Sequence, residues 1–124
     1  MIKKILTITF ICLFYSVYAF SAGSGGDGGS SKPKTNYEKA VSYIKSAKKY
    51  EKNGKLKKAK KKYEKAQKLL IKSNIKSPNK PDTLNYLGFT TRKLGDYTNG
   101  EKYYLQGLAI DPNHVGINEY LGEL

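Results

Sequence analysis

The 124-residue chain is predicted to be all-α, a short stack of antiparallel helix-turn-helix repeats, and three observations carry that prediction. Tyr86-Leu87-Gly88 recurs as Tyr120-Leu121-Gly122, an offset of 34 residues, and a fixed period of roughly 20 to 50 residues marks a stacked array. Gly54, Leu56, Ala59, Tyr63 and Ala66 repeat the spacing of Gly95, Tyr97, Gly100, Tyr104 and Gly107, displaced by 41 residues. Turn signals fall where hairpin repeats need them, at Gly54, at Gly95-Asp96 and at Asp111-Pro112-Asn113, because glycine ends helices and proline removes a backbone donor.

The chain begins with Lys3 and Lys4, an apolar run from Ile5 to Tyr18, and small residues at Ala19, Ser21 and Ala22. Residues 1–21 therefore read as a secretory signal peptide, with cleavage near Ala19, Ser21 or Ala22. An uncleaved anchor is the rival reading, but the run is shorter than the roughly 20 apolar residues of a spanning helix. Export places the protein in the periplasm or cell envelope of a bacterium, or otherwise outside the cell. Cys12 is the only cysteine and lies inside the apolar run, without the small residues before it that mark a lipoprotein site. The mature chain then has no thiol for disulfides, metal ligation or nucleophilic chemistry. Residues 22–35 are a Gly/Ser-rich flexible linker, and 36–124 form one small helical domain.

Within that domain the first helix is expected from Asn36 to Lys52, opened by Thr35 and Glu38 at capping-box spacing, with Tyr43, Ala47 and Tyr50 on its packing face. The second, from Lys55 to about Lys76, carries Leu56, Ala59, Tyr63, Ala66 and Leu70 as one stripe. Together they make an early unit, about 40–73, and the displacement of 41 rather than 34 asks for a longer second helix before Ser77-Pro78-Asn79-Lys80-Pro81. The clearest unit spans 81–114. Its first helix should start after Asp82 or Thr83, with Pro81 in the preceding turn, and bury Leu84, Leu87 and Leu94. Gly95 ends it, Asp96 caps the next helix, and Tyr97, Tyr104, Leu105 and Leu108 supply the buried stripe. A partial third unit, 115–124, presents Ile117, Tyr120, Leu121 and Leu124 without the polar outer face of a capping helix. That open helix is either an improvised cap, a contact for a second copy of the chain, or part of a longer array of which this sequence is a fragment.

These residues resemble the tetratricopeptide repeat family. Leu84, Leu87 and Gly88 match the family's opening, Gly95 and Tyr97 its turn, Gly100 and Gly107 its two alanine places, Tyr104 its aromatic place and Pro112 its closing proline; Thr91 stands where the family prefers tyrosine. The resemblance implies a right-handed α-solenoid of about two units plus a truncated third, a non-catalytic scaffold for protein or peptide partners, and a concave groove lined by first helices. By their places in the pattern, the groove candidates are Asn85, Phe89, Arg92 and Lys93 with Asp82 in the clear unit, and Ile44 and Lys48 with Val41, Glu51 and Lys52 in the earlier one, continued by Glu119 and Glu123. Phe89 is the leading candidate, being aromatic, off the Leu84-Leu87 stripe and one turn from Arg92; its competing role is packing between repeats. The clamp that some family members use for acidic chaperone tails is not reproduced, because Ile44 and Tyr86 occupy two of its places.

Charge is unevenly distributed. From Lys32 to Lys80 there are 18 lysines against 3 acids, whereas Pro81 to Leu124 holds 3 basic and 6 acidic residues. Lys57, Lys58, Lys61, Lys62 and Lys65 are candidates for binding a polyanion or an anionic membrane surface, set against a plain solvated lysine face. Nucleic acid ranks last, since no recognition motif accompanies the basic stretch. No constellation supports catalysis or a cofactor. His114 is the only histidine, reads as a solvated turn residue, and has no recognisable partner for a metal or a triad; the Gly-rich linker lacks the lysine and preceding strand of a phosphate-binding loop.

Overall fold

A computed structural model describes residues 32–122. These contain five helices: α1 Asn36–Lys52, α2 Leu56–Lys76, α3 Pro81–Lys93, α4 Tyr97–Ile110 and α5 Val115–Gly122. The expected signal peptide, most of the linker, and Glu123 and Leu124 lie outside the described residues. α1 packs against α2 and α3 against α4 as two hairpins, α2 joins them through α3, and α5 lies on α3 and α4. The result is an all-α repeat stack.

Local chemistry sets the helix ends. Thr35 accepts a hydrogen bond from the Glu38 amide while the Glu38 carboxylate accepts from the Thr35 amide, at 3.2 and 2.8 Å, so the capping box closes. The two hairpin turns are copies of each other. Gly54 at φ +69° and Gly95 at φ +96° take the left-handed conformation that glycine adopts without a Cβ penalty. Gly54 N–H donates to Glu51 and Lys55 N–H to Tyr50; Gly95 donates to Arg92 and Asp96 to Thr91. This reciprocal pair satisfies the last carbonyls of each helix, and Asp96 then caps α4 by accepting from the Asn99 amide at 3.1 Å.

One core runs through both hairpins, with Ala40, Ile44 and Ala47 of α1 against Ala59, Tyr63, Ala66 and Leu70 of α2, and Leu84 and Leu87 of α3 beside Tyr104 of α4. The 41-residue correspondence is met by buried residues at each core pair: Ala47 and Gly88, Ala59 and Gly100, Tyr63 and Tyr104, Ala66 and Gly107. Here the glycines have a steric reason. A Cβ on Gly88 would lie 2.5 Å from the Tyr104 ring, and one on Gly107 would run into Ile117.

Two expectations need correction. α3 begins at Pro81 itself, two or three residues early, because proline's fixed φ and missing N–H suit the first helical position. Leu56, Tyr97 and Leu105 are 64, 61 and 53% exposed; each belongs to the apolar pattern, yet the hairpin crossing turns it outward. Ile117 is fully buried, so the inner face of α5 is taken up by the stack, in keeping with the improvised cap among the readings of that helix.

Candidate functional site

The first helices of the two hairpins meet over one side chain, Phe89. Lys48 and Glu51 come from α1, and Phe89, Arg92 and Lys93 from α3, and these five line a cavity of about 280 Å³. Helical spacing explains the grouping: residues three and four apart share a face, and the α1 and α3 faces adjoin. Phe89 is only 4% exposed and forms the floor. Its ring lies 5.8 Å from Tyr63 in an edge-on contact and 5.0 Å from Tyr120, which stacks on Tyr104 at 5.9 Å. This aromatic ladder joins both second helices to α5.

Cations surround the floor. Lys48 Nζ sits 4.7 Å and Lys93 Nζ 5.8 Å from the Phe89 centroid, within cation–π range. Lys93 also pairs with Glu51 at 2.9 Å, and the second Glu51 oxygen accepts from Tyr63 Oη at 2.8 Å. The hydrogen bond from Lys93 holds the Glu51 carboxyl below its ordinary range, aided by Tyr63, while burial and the neighbouring carboxylate push the Tyr63 phenol up. Lys48 Nζ donates to Tyr120 Oη at 3.4 Å and Arg92 reaches the Tyr120 carbonyl at 3.5 Å. Three cations against one carboxylate leave the cavity positive, and the paired Glu51 braces Lys93 across the repeat boundary.

Of the six leading groove candidates, Lys48, Phe89, Arg92 and Lys93 come together here. Ile44 and Asn85 do not: both are buried, Ile44 in the α1–α2 core and Asn85 beneath α5, where a Cβ on Gly116 would meet its amide. Asp82 lies apart, on a larger cavity of about 980 Å³ at the hairpin ends, with Thr35, Tyr37, Ser77 and His114. The Tyr37 phenol there is pushed up to about 12, by burial first and Asp82 next.

Sequence reasoning missed two groups. Tyr120 lies just behind the smaller cavity: its ring packs on Phe89, and Lys48 and Arg92 reach its hydroxyl and its carbonyl. His114 is not a free turn residue: Nε2 lies 2.8 Å from Asp82 Oδ1, and Nδ1 accepts from the Ile117 amide at 3.2 Å. Nδ1 as acceptor leaves Nε2 as the N–H that donates to Asp82, so His114 caps α5 and ties it to α3. Its place just before an apolar helix was the available signal. The candidate lysines of α2 line neither cavity; Lys57, Lys61 and Lys65 are exposed, while Lys58 lies over Tyr50 and Lys62 and Lys65 over Tyr43.

Paired antiparallel helices repeating with matched turns, and a site between successive first helices, define a helical repeat protein of the scaffold type. Residues 82–114 match the family model described as Tetratricopeptide repeat, and the chain carries a repeat of that family. No curated protein matches the chain, and no solved structure does. Repeats of this family serve generally in protein–protein contacts.

Proposed function

We propose that the protein is an exported, non-catalytic scaffold that holds an extended, acidic peptide segment of a partner protein in the groove between α1 and α3. The observation that carries this reading is the convergence of Lys48, Arg92 and Lys93 on the Phe89 floor in one cavity. A carboxylate on the peptide meets pre-positioned cations there, and an apolar side chain next to it meets the Phe89 floor. Fixed donors of this kind favour binding because little side-chain freedom is lost on contact. Export rests on the segment 1–21.

Fluorescence anisotropy with degenerate decapeptide pools, one acidic and one basic, tests the reading. The acidic pool is expected to bind, and Lys48→Ala, an exposed change that leaves the core intact, is expected to weaken it about 5- to 30-fold, the loss of about 1–2 kcal/mol typical of a charged interface contact. Equal binding of both pools, or no effect of Lys48→Ala, would overturn it.

A further inference from the structure

The outer face of α2 carries a pattern the groove does not use. Lys57, Lys61, Lys65, Lys68, Lys72 and Lys76 follow one another at steps of four, four, three, four and four residues. That spacing draws a straight seam about 30 Å long on an α-helix. All six are exposed, roughly half a turn from the buried stripe of Ala59, Tyr63, Ala66 and Leu70. Among the described residues none of them makes an ion pair or hydrogen bond; Lys65 alone has a partner, the Tyr43 ring. Glu64 is the only acid in the helix. Like charges one turn apart weaken a helix, so the seam works against α2 until a counter-charge arrives.

Beside the seam stand two isoleucines. Ile75 is 76% and Ile71 41% exposed, and they lie three residues after Lys72 and Lys68. A soluble polyanion would neutralise the lysines and leave the isoleucines in water. A lipid headgroup region meets both.

We propose that α2 docks the protein on an anionic lipid bilayer, the lysine seam against the headgroups and Ile71 and Ile75 at the acyl boundary. The contact is interfacial, since no described helix is long and apolar enough to cross a membrane. It leaves the groove between α1 and α3 open, so it is independent of the peptide reading.

The test is flotation of the full chain with vesicles of phosphatidylcholine alone and of phosphatidylcholine with phosphatidylglycerol, alongside binding to linear polyphosphate. The apolar run Ile5 to Tyr18 contributes to both vesicle types, so the readout is the ratio of the two partition coefficients. At low salt the wild type is expected to favour anionic vesicles, and the combined change K61Q, K65Q, K68Q and K72Q to lower the ratio on the order of 100-fold or more. This variant relieves charge repulsion and keeps its helix, which circular dichroism checks. I71S with I75S is expected to lower binding to anionic vesicles about tenfold and to leave polyphosphate binding unchanged. Equal ratios for wild type and the lysine variant would overturn the proposal. So would an isoleucine variant that binds anionic vesicles like the wild type, which would make the seam a polyanion site instead.

Discussion

Gly88 shows how single residues set the spacing of this stack. Its missing side chain admits the Tyr104 ring, which is fully buried and has no room to retreat. A glycine in a helix interior costs about 1 kcal/mol relative to alanine, yet here alanine would force two packed helices apart. Gly88→Ala is therefore expected to destabilise by about 1–3 kcal/mol, read as a fall in melting temperature of at least several degrees; an unchanged or higher melting temperature would mean the helices are not in contact there. Glu51 is the second decisive residue. Its folded-state carboxyl is held low by Lys93 and Tyr63, so its stabilising contribution is present above the ordinary glutamate range near ~4.3 and is lost as pH falls from there through the depressed native value. Glu51 is more than a third exposed, so solvent screens the contribution and keeps it small. Chemical denaturation from neutral to acid pH should show a shallower acid decline for Glu51→Gln than for the wild type.

At the scale of elements, the turns were the most legible part. Gly54 and Gly95 lie at equal places in the two units, and each closes the same pair of capping bonds; the Thr35–Glu38 box needs only local spacing. The exposed Leu56, Tyr97 and Leu105 were not legible, because helical periodicity gives a face but not the crossing angle that decides how wide the covered face is. The same limit hid the role of His114, whose partner Asp82 is 32 residues away and meets it only when α5 lies on α3. α5 has eight residues, too short for a helix to persist alone, so its cap and its docking matter. His114→Ala removes the acceptor for the Ile117 amide, at a cost of about 1 kcal/mol. Hydrogen exchange should quicken severalfold in α5 while α1 to α3 keep their protection; uniform quickening throughout would contradict a local cap.

For the whole molecule, two hairpins and α5 share one core, and the ladder Tyr63–Phe89–Tyr120–Tyr104 crosses every boundary between them. Lysines dominate the first hairpin and its outer face, while acids outnumber basic residues six to three from Pro81 to Leu124. The fold class was legible because a period survives divergence of its residues. The site was legible in part: family position brought Lys48, Phe89, Arg92 and Lys93 together, but it also named Ile44 and Asn85, whose burial depends on how α2 and α5 cover the first helices. The cavity around Phe89 is the point where the fold and the proposed task meet. Its most direct test is amide chemical-shift mapping of the isotope-labelled chain during titration with the acidic peptide pool. The account predicts shifts concentrated at Lys48, Glu51, Phe89, Arg92 and Lys93, with α4 unmoved; shifts confined to α2, or none at saturating peptide, would contradict it.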